Sequence, residues 1–212
     1  MKLPKKPPDI LTNGRKLCIG EKMRGKKMTE IKKFTDAYCL HIRELTSEDW
    51  QAMQRIAVDF RNSEYAVYDM PLPVREDEIK ALTKQFAENR LFFAVLLDEK
   101  MIGYVCFHED NGIFDLGYCF HSDYQGNGYA REACSAILEH IEKTKSVKTF
   151  TAGTALENIP SCKLLEKLGF VLEKTETLSF HKDEYGTDIV FEGGIFVKKP
   201  KERINDDKYK NN

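Results

Sequence analysis

The stretch that most constrains this chain is the junction Gln125-Gly126-Asn127-Gly128-Tyr129-Ala130, which sits between an apolar run and an amphipathic segment. Ala130, Ala133, Cys134, Ile137, Leu138 and Ile141 fall at i, i+3, i+4, i+7, i+8 and i+11. That spacing makes one apolar stripe on a helix, so the segment is a helix buried on one side. Ile113 to Phe120, ahead of the junction, has the length and composition of a strand. Strand, tight glycine turn and helix start therefore follow one another. Glycine lets the backbone approach a ligand, and the first N–H groups of a helix have no internal acceptor. The junction thus presents donors and the positive end of a dipole, for which a phosphate or pyrophosphate is the natural guest.

What is missing narrows the carrier. No Lys-Ser/Thr follows the second glycine, as a Walker-type loop requires for β/γ-phosphate and magnesium, so ATP and GTP are disfavoured. A dinucleotide fingerprint needs a third glycine where Arg131 stands, and it follows the first strand of a parallel βαβ unit. Here the preceding runs are Leu91 to Asp98, Met101 to Glu109 and Ile113 to Phe120, parted by Asp98-Glu99-Lys100 and Asp110-Asn111-Gly112. Turn residues between short apolar runs predict consecutive hairpins, an antiparallel meander.

The remaining elements follow from the same rules. Ala37 to Leu45 alternates as a strand does. Thr46 with Asp49 three positions on predicts a helix start, followed by Trp50, Met53, Ala57 and Phe60 at helical spacing. A second helix is expected over Arg75 to Asn89. After the junction come a strand at Lys148 to Ala155, a helix opened by Asn158 and Pro160 and closed by Gly169, and strands at Phe170 to Phe180 and Asp188 to Val197.

Gln125, Gly128 and Ala130 match the acetyl-CoA signature Q/R-x-x-G-x-G/A, and in this the chain resembles the GNAT acetyltransferase superfamily. The element order from Ala37 to Val197 is also that family's. A second landmark, Asn158-Ile159-Pro160-Ser161 followed by Glu166-Lys167-Leu168-Gly169-Phe170, is similar to its N-x-x-S/A and E-K-x-G-F segment. Leu116-Gly117-Tyr118-Cys119-Phe120-His121 together with Ser161 resembles the branch of ribosomal-protein N-terminal acetyltransferases, the RimJ/RimL-like enzymes. The resemblance implies an α/β (α+β) fold: a mixed, mostly antiparallel sheet of six to seven strands with about four helices, splayed between the fourth and fifth strands.

It also implies the site. The main chain of Tyr118, Cys119 and Phe120 would bond the pantetheine arm as an added strand would, and that of Gln125, Gly126, Asn127, Gly128, Tyr129 and Ala130 would hold the pyrophosphate. Asn158 would bond the pantetheine. Asp115 is the candidate general base, acting directly or through water, with Glu109 second. Ser161 would protonate the departing thiolate or hold an ordered water, a strand amide near Phe120 would face the oxyanion, and Tyr65, Tyr68, Asp69 and Met70 would flank the acceptor groove. Many relatives carry a tyrosine acid where Leu165 stands, so that source of a proton is excluded here. Each position also has a plain structural reading: Asp115 as a hairpin cap, Asn158 and Ser161 as first-turn residues, the aromatics as packing.

Charge divides the chain. Residues 1–27 hold nine Lys/Arg against two Asp/Glu, whereas residues 28–197 hold 18 basic and 29 acidic residues. Residues 1–27 read as a basic flexible extension, 28–199 as the catalytic domain and 200–212 as a polar tail. The domain's acidity argues against nucleic acid as its partner and favours cationic acceptors. Six cysteines (Cys18, Cys39, Cys106, Cys119, Cys134, Cys162) form no C-x-x-C pair, and five histidines form no metal-ligand spacing, which fits a cytoplasmic setting without a metal. No apolar run is long enough for a membrane span. The expectation is an acetyl-CoA-dependent N-acetyltransferase acting on a primary amine of a peptide or small molecule by direct attack. A CoA-binding sensor without catalysis is the rival reading, and a homodimer through the final strands is expected by analogy.

Overall fold

Two-residue turns set the course of the chain through its sheet. Asp98 and Glu99, at φ 47° and 65°, close the first hairpin, and Asn111 and Gly112, at φ 52° and 85°, close the second. Paired left-handed residues match the twist of the flanking strands, which is why Asn-Gly is favoured there. The computed structural model describes residues 30–34 and 39–201. The basic extension over residues 1–27 with Cys18, and most of the C-terminal tail, lie outside the described residues, as does the side chain of Cys39.

The described strands are β1 (Glu30–Phe34), β2 (Cys39–Glu44), β3 (Phe92–Leu97), β4 (Lys100–Asp110), β5 (Ile113–Phe120), β6 (Thr149–Ala155), β7 (Val171–Lys182) and β8 (Asp188–Lys198). The helices are α1 (Trp50–Arg61), α2 (Glu76–Asn89), α3 (Tyr129–Thr144) and α4 (Ile159–Lys167). The strands form one sheet in the order β1-β2-β3-β4-β5-β6-β8-β7. The seven strands expected from sequence are β2 to β8, and β1 adds an eighth at the edge by pairing antiparallel with β2.

Every pairing is antiparallel except β5 with β6. That parallel pair is short: Ile113, Phe114 and Asp115 match Thr149, Phe150 and Thr151, and there it stops. Beyond Asp115 the strands diverge, the splay expected between the fourth and fifth strands counted from β2.

Each face of the sheet carries two helices. Ala133, Cys134, Ile137, Leu138 and Ile141 of α3, with Leu165 of α4, pack against Phe107, Phe114, Leu116 and Phe150 on one face. Met53 and Ile56 of α1 and Ile79 of α2 pack against Ala94, Leu96 and Met101 on the other. The α3 stripe is the one the sequence spacing predicts. Helix α4 is bounded at both ends by local chemistry. Asn158 Oδ1 accepts the Ser161 N–H at 3.2 Å, and at the far end Gly169 (φ 85°) donates to Glu166 O at 2.9 Å while Phe170 donates to Leu165 O at 3.0 Å. These are the two bonds of a Schellman cap, which places Gly169 where a left-handed residue is required.

Candidate active site

The splay leaves a cleft of about 1080 Å³ between Leu116–Phe120 of β5 and Gly153–Ala155 of β6. Its floor is open strand edge, so main-chain groups of β5 that would otherwise bond β6 face the cavity. At one end stands the glycine turn. Gly126 and Gly128 have φ 76° and 86°, conformations that glycine adopts without strain, and a Cβ added to either would meet nothing within 4 Å. The first internal main-chain bond of α3 runs from Glu132 N–H to Gly128 O at 3.1 Å, so the amides ahead of Glu132 have no acceptor one turn earlier in the helix.

Side chains fix this turn from within. Gln125 Nε2 donates to Phe120 O at 2.9 Å, tying the turn to the end of β5. Asn127 Nδ2 donates to Gln125 O at 3.0 Å, so its side chain folds back onto the turn. Of the residues expected to hold the cosubstrate, Tyr118, Cys119, Phe120, Gln125, Gly126, Gly128, Tyr129, Ala130, Asn158 and Ser161 all border the cleft. Asn127 does not border it.

The candidate bases are placed differently. Asp115 lies in the last paired register of β5 and β6, at the closed end of the wedge, where its Oδ1 accepts the Thr151 hydroxyl at 2.6 Å. Glu109 Oε1 accepts the Gly112 N–H at 2.8 Å and serves the hairpin turn. Neither borders the cleft, whereas Asp59, Glu64 and Asp69 do. Asp69 ends a 3-10 turn over Ala66–Tyr68, and its carboxyl is raised by desolvation against the lowering influence of the Met70 N–H and of His181. Asp69 O is held by His181 Nε2 at 2.8 Å, which straps the loop after α1 to β7. Tyr68 meets Phe191 edge-on at 5.3 Å between ring centroids, and Phe180 lies 5.5 Å from the same ring.

Charge is therefore polarised across the cleft. Asp59, Glu64 and Asp69, with Tyr65, Tyr68, Phe180 and Phe191, line the side of α1 and the β7–β8 hairpin, while Arg131, Lys163 and Lys167 of α3 and α4 line the other. Of these, sequence reasoning singled out Tyr65, Tyr68 and Asp69 alone. The rest lie on regular elements whose exposed charges carry no local signature, though Phe180, near the polar end of β7, was a detectable signal.

Two thiols at or near the cleft are held protonated. Burial pushes Cys119, which borders the cleft, up to about 12, and Cys106 on the adjacent strand equally to about 12, so neither is a thiolate at neutral pH. Among the described residues, no cluster of three or more His, Cys, Asp or Glu could hold a metal, and no helix is long and apolar enough to cross a membrane.

An open strand edge beside a glycine turn in a mostly antiparallel sheet is the arrangement the signature implied, and residues 40–171 match the Acetyltransferase (GNAT) domain. The chain belongs to the GNAT acetyltransferase family. It is similar to the N-acetyltransferase YnaD of Bacillus subtilis, 34% identical over 136 residues that span 61% of this chain and 78% of YnaD. In fold it is similar to the ribosomal-protein-S5-alanine acetyltransferase of Vibrio fischeri (TM-score 0.66, 20% identity, 81% and 98% of the two chains). It is likewise similar to RimL, the ribosomal L7/L12 alpha-N-protein acetyltransferase, in complex with coenzyme A (TM-score 0.65, 14% identity, 80% and 97%). The enzyme is an acetyltransferase of GNAT fold.

Proposed function

We propose that the enzyme transfers acetyl from acetyl-CoA to a primary amine by direct attack. The observation that carries this reading is the free edge of β5 leading into a turn with Gly128 at the start of α3, with space on its outer side. The open edge from Tyr118 to Phe120 would receive the pantetheine, Asn158 would bond it, and the amides of Gly126, Gly128, Tyr129 and Ala130 would hold the diphosphate, the Gln125 N–H being bonded to Ser122 O at 3.1 Å. Arg131, Lys163 and Lys167 add positive charge on the same side. A structural neighbour that binds coenzyme A supports the donor.

The acidic, aromatic side suits a cationic acceptor, since carboxylates and ring faces both attract an ammonium. Both structural neighbours are named as ribosomal-protein acetyltransferases, RimL as an alpha-N-protein one, which supports a peptide N-terminus among the acceptors, alongside small amines. Asp115 would remove the extra proton of the ammonium through an intervening water, because its carboxylate sits at the closed end of the wedge, bonded to Thr151. Asp69 would hold the ammonium. Ser161 would act at the sulfur. The high-lying thiol of Cys119 is consistent with transfer without a cysteine-bound intermediate. The thiols Cys106, Cys119, Cys134 and Cys162 are all free, which suits a reducing compartment such as the cytoplasm.

The test is a panel of peptides and amines with acetyl-CoA, reading free thiol and product mass. Thiol release with a product heavier by one acetyl group is the expected result. Thermal stabilisation by coenzyme A without thiol release from any amine would assign the fold to sensing instead, and no stabilisation at all would remove the cosubstrate.

A further inference from the structure

In that reading Tyr118 contributes only its main chain, yet its phenol reaches from β5 to α4. Tyr118 Oη lies 2.9 Å from Ser161 Oγ and 3.5 Å from Ser161 O, both residues bordering the cleft. Ser161 is itself fixed, because its N–H donates to Asn158 Oδ1 at 3.2 Å. Burial pushes the Tyr118 phenol well above its ordinary range, so at neutral pH it keeps its proton. Leu165, one turn further along α4, is 1% exposed in the core and offers no polar group. The phenol of Tyr118 and the Ser161 hydroxyl are thus the pair of hydroxyls that meet on this stretch of the cleft.

A serine hydroxyl has one proton and two acceptor sites. When a phenol that retains its proton donates to one of those sites, the serine proton must point elsewhere, and the open direction is the cleft. We propose that Tyr118 is a positioning residue for acyl transfer: its phenol donates to Ser161 Oγ and so aims the serine proton at the departing sulfur. The inference rests on the reading of the cleft as an acetyl-CoA site. In the step it serves, the amine nitrogen bonds to the acetyl carbon and the carbon–sulfur bond breaks with its electron pair on sulfur. Ser161 gives its proton to that sulfur and regains one from solvent water, which also takes the proton that the nitrogen loses. Ser161 ends neutral, Tyr118 keeps its proton throughout, and the products are the N-acetyl amine and the free thiol.

Tyr118→Phe removes the hydroxyl and keeps the ring that packs on the core. The expected result is a fall in kcat of about tenfold to a hundredfold, with KM for acetyl-CoA and stabilisation by coenzyme A unchanged. Ser161→Ala falls comparably, and the double variant is no slower than the slower single, since the two hydroxyls act as one unit. A second donor isolates the step. With the acetyl thioester of a nitrothiophenol, whose thiolate departs without protonation, both variants return to within about twofold of the unaltered enzyme. Wild-type kcat in Tyr118→Phe, losses that multiply in the double variant, or an equal loss with both donors would each overturn the proposal. Should Tyr118→Phe fold poorly, the comparison of donors in Ser161→Ala decides it in the same way. Failure of coenzyme A to stabilise the unaltered enzyme would instead overturn the acetyl-CoA reading beneath it.

Discussion

Asp59 holds Ser122 with both of its carboxylate oxygens: Oδ2 accepts the Ser122 main-chain N–H at 2.7 Å and Oδ1 accepts its hydroxyl at 2.6 Å. Asp59 belongs to the last part of α1, on the acidic side of the cleft, and Ser122 opens the 3-10 turn that leads into Gln125. One carboxylate therefore ties α1 to the turn after β5 across 63 positions of sequence.

Asp59→Asn breaks that tie without changing size. An amide has a single accepting oxygen, so one of the two Ser122 donors would face an NH2 group. Hydrogen bonds to a charged acceptor are the stronger kind, and the variant is expected to lose about 1–2 kcal/mol of stability. Because the turn ahead of α3 is what loosens, KM for acetyl-CoA should rise while KM for the amine moves less. Urea unfolding and steady-state kinetics check the two halves of the prediction.

The pair Arg43–Asp49 sets an acid limit on stability. Asp49 receives two guanidinium bonds at 2.7 Å and the Thr46 N–H at 2.8 Å. Burial by itself would raise its carboxyl, but Arg43 and Thr46 together hold it below the ordinary carboxylate range. A depressed native value means that the unfolded chain takes up the proton first as pH falls. The pair's contribution is full above the unfolded value near pH 4 and is lost below it. Asp49→Asn should cost about 2 kcal/mol at pH 7, with the gap to wild type closing as pH drops below about 4. Denaturant titrations at several pH values measure that gap.

What could be read from sequence was what local chemistry decides. Asn111-Gly112, Gly169 and Asn158 announce a hairpin, a helix end and a helix start, because each satisfies its own neighbours' backbone, and the α3 stripe follows from spacing alone. The turn from Gln125 to Ala130 was legible for the same reason. Strand β1 was not, as five residues over Glu30–Phe34 carry no clear alternation. Contacts set by tertiary register were equally hidden. Tyr118 and Ser161 meet across 43 positions, and Asp115 looks like a cleft carboxylate until the register with Thr151 places it at the closed end.

With Asp69 proposed to hold the ammonium, its removal should separate acceptor binding from folding. Desolvation raises its carboxyl, so the native value lies above the unfolded one and the native state takes up a proton in the window between them. Stability from this group is present at low pH and is lost as pH rises through the native value, which leaves the ionised form a liability at neutral pH. Asp69→Asn should accordingly be neutral or slightly stabilising at pH 7. KM for a cationic amine should nonetheless rise about fivefold, the size of a partly exposed ion pair, with kcat nearly unchanged. A neutral KM effect with altered melting temperature would place Asp69 in the strap with His181 and not in acceptor binding.

Two glycine variants distinguish the cost of backbone strain from the cost of crowding. Gly103 on β4 faces the end of β5, where an added Cβ would run into Phe120 Cδ1 and lie 2.7 Å from Cys119 O. The Cys119 carbonyl cannot yield without moving β5, so Gly103→Ala should destabilise by about 2–3 kcal/mol and shift the strand that floors the cleft. Gly128→Ala meets no atom, and its cost is the left-handed conformation at φ 86°, about 1–2 kcal/mol. If the outer side of that turn is where a diphosphate lies, the new methyl occupies the ligand's space, and Gly128→Ala should lose most of the stabilisation by coenzyme A although it is the better folded of the two. Retention of full coenzyme A binding by Gly128→Ala would show that the anion is held elsewhere.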